Sequence, residues 1–403
     1  MSTSIIITIC ILLIIAYIFD LTSPRTRIPS VLLLLLLGWG VRQLTVLFGI
    51  PLPDLSPALP ILGTVGLILI VLEGSLELEL DTSKIPLLKK TVLVAFLPML
   101  VMAFILAYLF NDLGGYSFKD SMTNAIPLCV ISSAIAIPSV ANLSRVNKEY
   151  VIYESSLSDI LGVMFFNFMA LNEIINLQSV GNFFVQLLII LVISFIATMG
   201  LSFLLSRIDH HVKFAPIIIL IILIYAISKI YHLPALLFIL VFGLFLNNFD
   251  KLKNIKWIEK LRPEILNREA DKFKEITIEA TFLIRVLFFL IFGYLIETYE
   301  LLDPGTAVWS AAIVALIFII RALALKLTGT LLMPLLFIAP RGLITILLFL
   351  SILPEQTIPL VNQSLITQVI VLTALVMMAG LIMNGKKIEE EELPAAIDNS
   401  GNR

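Results

Sequence analysis

Two carboxylates, Glu154 and Asp159, stand in the stretch "YESSLSDILGVMFF" (153–166), inside a run otherwise apolar enough to cross a membrane. A charged group at the centre of a bilayer costs about 2.5–3.5 kcal/mol on insertion scales, so each ionisable residue within a span is a candidate for function. Five positions at about 100° per residue place the two acids roughly 140° apart around a helix, which gives them different faces and different tasks. Asp159 lies about nine residues past Tyr150, roughly 13 Å along a helix and close to the membrane middle. Burial disfavours a charged carboxylate, so near pH 7 such a group can hold either a proton or a small cation. One carboxylate occupied by one or the other is the minimal chemistry of ion exchange. The hydroxyls of Ser155, Ser158, Ser132 and Ser133 could complete a shell of hard oxygen ligands for an alkali cation. Equally, any of these serines could bond backward along its own helix.

Glu154 sits about four residues from the end of its helix, and Arg321 about six from the corresponding end of an antiparallel one, so the two lie at similar depth. A buried carboxylate without a cation is costly, which makes an ion pair between them the economical expectation. Arg285 is the competing cation, deeper in its own run. The remaining ionisable residues in apolar runs are Arg42, Glu73 and Arg341, with Glu77, Glu79 and Asp81 near a helix end.

The elements that must position these groups are membrane helices. Of 403 residues, 59% are hydrophobic and 14% charged, and the mean hydropathy is +1.05. That composition is of an integral, all-α membrane protein. The 27 basic and 29 acidic residues nearly cancel, giving no ground for a nucleic-acid partner. Apolar runs fall at about 3–20, 28–48, 59–79, 91–110, 121–141, 150–172, 182–205, 214–230, 233–248, 275–297, 305–327, 334–353 and 363–384, about thirteen transmembrane helices. The first reads as a retained span and not a signal peptide, because no basic residue precedes it and no small-residue cleavage site follows.

The fifth and twelfth runs are interrupted, one by Pro138 in "CVISSAIAIPSVANL" and the other by Pro340 and Gly342 in "FIAPRGLITILL". Breaks within a span free backbone groups that a cavity or an ion must satisfy. An offset of seven spans inverts direction, so runs 1–6 and 8–13 read as two inverted-topology repeats with broken crossover helices 5 and 12, the pattern of a secondary transporter's midplane site. Basic residues concentrate in alternate loops: Arg25 and Arg27; Lys84, Lys89 and Lys90; Arg145 and Lys148; Arg207 and Lys213; Lys251 to Lys274; Lys326, Lys386, Lys387 and Arg403. The other loops hold Lys119 and Lys229. This bias predicts an N-terminus outside and a C-terminus in the cytoplasm of a cell (inner) membrane.

Residues 249–274 read as a cytoplasmic amphipathic loop that lies as an amphipathic helix on the inner surface, with Leu252, Ile255, Ile258 and Leu261 at helical spacing opposite lysines. The tail 385–403 reads as short, acidic and disordered, too short for a nucleotide-binding regulatory domain. Cys10 and Cys129 read as buried thiols. "GLIMNGK" has phosphate-loop spacing, but Lys387 replaces the required hydroxyl and the run ends a membrane helix. No cofactor motif, zinc signature or nucleophile elbow is present, so the reading is of a transporter and not an enzyme. His210, His211 and His232 read as solvated loop residues.

At this point a resemblance becomes specific. "ESSLSD" is similar to the E-x-x-x-N-D signature of the monovalent cation/proton antiporter superfamily, which includes sodium/proton exchangers. "LEGSLELELDTSKI" resembles that family's third-helix end, "ISSAIAIPS" its first crossover helix, "FIIRALAL" the helix with its basic residue, and "APRGLITILL" its second crossover helix. The resemblance implies antiport of sodium, lithium or potassium against protons, with Asp159 as the exchange site, Glu154 and Arg321 as a structural pair, and Arg341 steadying the second break. It implies no cofactor beyond the transported ions, a role in pH homeostasis, and a homodimer moving by an elevator-like motion. A core domain at about 91–172 and 305–384 would move against a dimerisation domain at about 1–80 and 214–297, within one transmembrane domain spanning 1–384. The chain departs from the family at Ser158, where asparagine or aspartate is usual, and lacks the T-D-P triplet, carrying Ser133, Ala134 and Ile135 instead. A neutral Ser158 favours electroneutral one-for-one exchange. Two other classes remain open on these residues: a cation-coupled symporter of an organic solute, and a non-transporting membrane sensor.

Overall fold

The computed structural model describes residues 2–50, 54–79, 84–172, 175–208, 210–252 and 262–398, and these are helical with no strand. In chain order the helices are α1 (Ser2–Thr26), α2 (Ser30–Leu47), α3 (Ala58–Glu77), α4 (Ile85–Gly114), α5 (Phe118–Cys129), α6 (Ser133–Ser139), α7 (Arg145–Leu171), α8 (Leu177–Arg207), α9 (Phe214–Ile230), α10 (Leu236–Asn247), α11 (Phe249–Leu252), α12 (Pro263–Leu295), α13 (Thr298–Leu302), α14 (Pro304–Leu327), α15 (Leu343–Leu350) and α16 (Gln363–Asp398). Among the described residues nine stretches are long and apolar enough to span a membrane, α5 and α6 counting together as one. The helix carrying Glu154 and Asp159, α7, is not one of the nine, because its two acids and its serines lower its hydropathy.

Where helices start and stop follows local chemistry. Ser144 caps α7 by accepting from the Asn147 amide at 3.4 Å, and Ser117 caps α5 by accepting from the Asp120 amide at 3.0 Å. The α4 helix ends at Gly115, whose φ of 69° is the left-handed conformation that glycine adopts without strain.

The first interruption lies at Val130–Ser132, between α5 and α6, and not at Pro138, which sits within α6. Proline at that point is accommodated near the end of a seven-residue helix; the chain leaves helical geometry where its amides find partners outside the helix, as described below. The second interruption separates a 3-10 turn at Leu335–Phe337 from α15.

Three other expectations differ from the structure. Residues 263–274, read as part of an amphipathic surface helix, are helical but continuous with the membrane helix as the first turns of α12, with Leu266, Ala270 and Phe273 on one buried stripe. Of the rest of that loop, 249–252 form α11, while Ile255, Ile258 and Leu261 lie outside the described residues. The last helix continues as backbone to Asp398, where a disordered tail was expected; its lysines and glutamates at 386–392 are good helix formers, and the helix runs on through Pro394. Cys10 is exposed on α1 and only Cys129 is buried, both as free thiols.

Packing sorts the helices. The α12 helix lies against α2 and α3, and α10 against α3 and α8. Separately, α4 packs on α5, α7 and α14, α6 on α7, and α14 on α16. The α3 helix also touches α6, α7 and α15, so it borders both sets. The backbones of α2 and α12 approach closely: a Cβ on Gly38 would lie 2.2 Å from the Leu290 carbonyl oxygen and one on Gly293 would lie 2.4 Å from that of Leu35. Small residues allow this because membrane helices gain from close backbone packing.

Candidate ion-exchange site

The two interrupted helices meet beside α7. Three amides at the first break are taken up from outside it. Ile131 N–H donates to Ser158 Oγ at 3.0 Å, and Ser132 N–H to the Pro340 carbonyl at 2.9 Å. Ser133 N–H donates to Asp159 Oδ2 at 3.4 Å, and the Ser133 hydroxyl donates to the same oxygen. The carbonyl end of α5 is met by a cation: Arg341 donates through Nε to Leu128 O at 2.8 Å and through Nη2 to Cys129 O at 3.3 Å. Its Nη1 donates to Ala339 O at 2.9 Å, and its backbone N–H to Thr373 Oγ1 at 3.0 Å. A carboxylate thus faces the amide start of α6 and a guanidinium the carbonyl end of α5, each matched in sign to the helix terminus it meets.

Glycine makes the approach possible. A Cβ on Gly342 would sit 2.5 Å from the Ile135 side chain and 3.0 Å from Ser132 Oγ, and one on Gly162 would sit 2.4 Å from the Val130 side chain.

Asp159 is buried, and its Oδ1 has no hydrogen-bond partner among the described residues. A buried polar atom without a partner is costly, so an acceptor left open is a place where a proton or cation would be stabilised. No group of three or more His, Cys, Asp or Glu that could hold a transition metal occurs among the described residues. What surrounds Asp159 is hydroxyl and amide chemistry.

The candidate ligands divide. Ser133 touches Asp159 directly, while Ser158 is engaged with the Ile131 amide. Ser155 donates to Val151 O at 2.7 Å, the backward bond along its own helix, and Ser132 lies against Gly342.

Glu154 is elsewhere on α7 and is bound to α14. Arg321 Nη1 and Nη2 reach Glu154 Oε1 and Oε2 at 2.7 and 2.9 Å, a bidentate pair in which both side chains are buried. Arg321 Nε also donates to Leu335 O at 2.8 Å, which ties α7 and α14 to the second break. Arg285 is not drawn into either acid: its Nη2 lies 3.8 Å from Asp20 Oδ1, and Glu73 of α3 lies in its field beside Thr281. Arg42 pairs with Glu297 at 2.7 Å. Asp20 was missed by the sequence reading although its position at the end of the first run was a usable signal. Thr373 and the Pro340 carbonyl carried none.

The two ends of α7 differ. At its N-terminal end the surroundings of the site are shut. A Cβ on Gly74 of α3 would lie 2.8 Å from Ser156 Oγ, and the Tyr153 hydroxyl donates to Glu79 O at 2.6 Å. Asn247 and Asn248 donate to Leu78 O at 2.9 and 2.8 Å, while Leu78, Ile152 and Tyr153 form a buried apolar cluster. Lys84 bridges Glu79 at 2.9 Å and Glu149 at 3.1 Å. The hydrogen bond from Lys84, with its charge, holds the Glu79 carboxyl below the usual carboxylate range. Burial works against the charge on Lys84, but its bonds to Glu79 and Glu149 outweigh this and raise it. At the other end of α7 there is instead a cavity of about 370 Å³ among α3, α7, α9, α10 and α15.

Comparisons with known proteins agree with this architecture. The model of the family described as "Sodium/hydrogen exchanger, transmembrane" matches residues 9–385. The solved structure of the sodium proton antiporter MjNhaP1 from Methanocaldococcus jannaschii at pH 8 is 16% identical, with a TM-score of 0.64 over 96% of this chain and 97% of that one. An electron-microscopy structure of the same antiporter is 16% identical, with a TM-score of 0.67 over 96% of each chain. At that identity the likeness is one of fold. No curated protein matches the chain. Because the family model runs through both interrupted helices and the helix that carries Asp159, the chain belongs to the sodium/hydrogen exchanger family, whose members are membrane cation/proton antiporters and not enzymes.

Proposed function

We propose that this chain exchanges sodium or lithium for protons at Asp159, one for one, with potassium as the competing cation. The observation that carries the proposal is the buried Asp159 carboxylate with one oxygen held by Ser133 and the other without a partner, where the two broken helices meet. In the proton-loaded form the open oxygen carries the proton. In the cation-loaded form both carboxylate oxygens and Ser133 Oγ supply hard oxygen ligands. Proton and cation compete for one group, so neither crosses without displacing the other.

A single exchanging carboxylate carries one charge, and Glu154 is neutralised by Arg321. The loaded site has the same net charge with either a proton or a monovalent cation, which makes the cycle electroneutral. Glu154 and Arg321 act as a fixed strut, and Arg341 as the clamp across the breaks.

The set built on α4 to α7 and α14 to α16 is suited to move as a core against a scaffold of α1 to α3, α9, α10 and α12, since contacts across α3 are fewer than those within each set. In this reading the scaffold pairs two copies of the chain, the N-terminus is outside the cell membrane and the C-terminus is cytoplasmic.

The test is cation-induced recovery of a quenched pH dye in proteoliposomes, with sodium, lithium and potassium compared. Recovery should be lost in Asp159→Asn and be indifferent to an imposed membrane potential. Recovery that survives Asp159→Asn overturns the site, and a rate that follows the potential overturns the stoichiometry.

A further inference from the structure

The cavity at the C-terminal end of α7 has an unexpected electrostatic character for a cation pathway. Val163 lines it and stands one helical turn beyond Asp159 on the same face of α7, and Leu67 of α3 and Ile344 of α15 line it from the helices that flank the site. Its polar lining comes from Thr64, Asn167, Tyr225, Lys229, His232 and Ser351. Among those lining residues there is no carboxylate, and Lys229 is the one permanently charged side chain. The opposite approach to the site, at the N-terminal end of α7, carries Glu79 and Glu149, each paired with Lys84 and Arg145. A cation leaving through the cavity therefore passes a positive charge with no compensating anion in the wall.

Lys229 is exposed at the last turn of α9 and is not needed to hold the helix together, since α9 closes through the Tyr231 amide on the Lys229 carbonyl. Like charge at the mouth of a cleft lowers the local concentration of a cation, and low-dielectric walls strengthen the effect.

We propose that Lys229 sets the sidedness of exchange: its charge raises the cation concentration needed to load the site from the cavity side, the outer side, and leaves loading from the cytoplasm unchanged. This rests on the reading of Asp159 as the exchange site.

The test compares right-side-out with everted membrane vesicles carrying wild type, Lys229→Gln and Lys229→Glu, with sodium added to the bath and exchange followed by a pH dye. In right-side-out vesicles at low salt and in an alkaline bath, where the proton, attracted or repelled equally by the same charge, competes little for the site, the sodium KM should fall about threefold to tenfold in Lys229→Glu, and less in Lys229→Gln. The difference should shrink in 500 mM choline chloride, where the Debye length is only a few ångströms, about 4 Å. In everted vesicles the KM should not change. An unchanged KM in right-side-out vesicles, an equal change on both faces, or a change insensitive to salt overturns the proposal. Loss of all exchange in wild type, or exchange that survives Asp159→Asn, overturns the underlying site instead.

Discussion

The amide of Ser132 donates to the carbonyl of Pro340 at 2.9 Å, so the two chain breaks, more than two hundred residues apart, satisfy one another directly. Neither break is free to relax alone. With Arg341 bound across Leu128, Cys129 and Ala339, the junction fixes the backbone next to Asp159 before any ion arrives. Preorganised backbone dipoles cost little reorganisation when the charge at the site changes.

The buried pair of Glu154 and Arg321 is the clearest stability target. Removing one partner leaves the other charge buried and unpaired, so Glu154→Gln or Arg321→Gln should each destabilise the protein by about 3–5 kcal/mol. Thermal unfolding in detergent would show this as a large fall in Tm. Glu154→Arg combined with Arg321→Glu should recover much of the loss, and a double variant no better than the singles would refute a pairwise role.

Ser133 and Ser155 should behave differently despite both lying near Asp159. Ser133→Ala removes a hydroxyl that donates to the carboxylate, and a bond to a charged acceptor contributes about 1.5–3 kcal/mol, so the cation KM should rise roughly tenfold or more. Ser155→Ala removes a bond to its own helix at Val151 and should leave the KM within about twofold. Dye-recovery titrations on both variants decide between them.

Gly293→Ala should weaken the packing of α2 on α12. The new methyl would meet the Leu35 backbone, which cannot rotate away, and overpacking of this kind costs about 1–3 kcal/mol. A lower Tm with the unfolding transition still cooperative is the expected result; Gly40→Ala, where a Cβ meets nothing within 4 Å, is the control.

The bridge from Lys84 to Glu79 and Glu149 should be insensitive to pH over the range in which exchange is measured. Glu79 is held below its ordinary value of 4.5, so its contribution is present above that value and lost only as the pH falls through the lower folded one. Lys84 is held above 10.5, so its contribution is complete below that value and lost as the pH rises through the higher folded one. The stability difference between wild type and Lys84→Met, followed by Tm, should therefore be flat from about pH 5.5 to 9.5. A difference that changes sharply near pH 7 would refute this account.

Membrane residence and helical class were determined by the sequence itself, because a bilayer admits few solutions: long apolar runs must be helices, and charges within them must have a reason. Glu154, Asp159, Arg321 and Arg341 stand out on that ground alone, as ionisable groups set in apolar runs. The pairing of Glu154 with Arg321 was within reach of a depth argument because both positions are measured along a known 1.5 Å rise from the same membrane face. Only the tertiary structure decided where the first break falls. Pro138 signalled an interruption nearby, but the chain leaves the helix at Val130–Ser132, where the acceptors Ser158, Pro340 and Asp159 come from distant segments. Which serines face Asp159 was likewise undecidable, since a hydroxyl bonds equally well along its own helix or across to another. The same holds for Arg285, whose partner Asp20 lies on the first helix, and for the cavity around Lys229, which no single helix contains. Local periodicity fixes the face a residue presents, whereas the neighbour that meets that face is chosen by the packing of all the helices together.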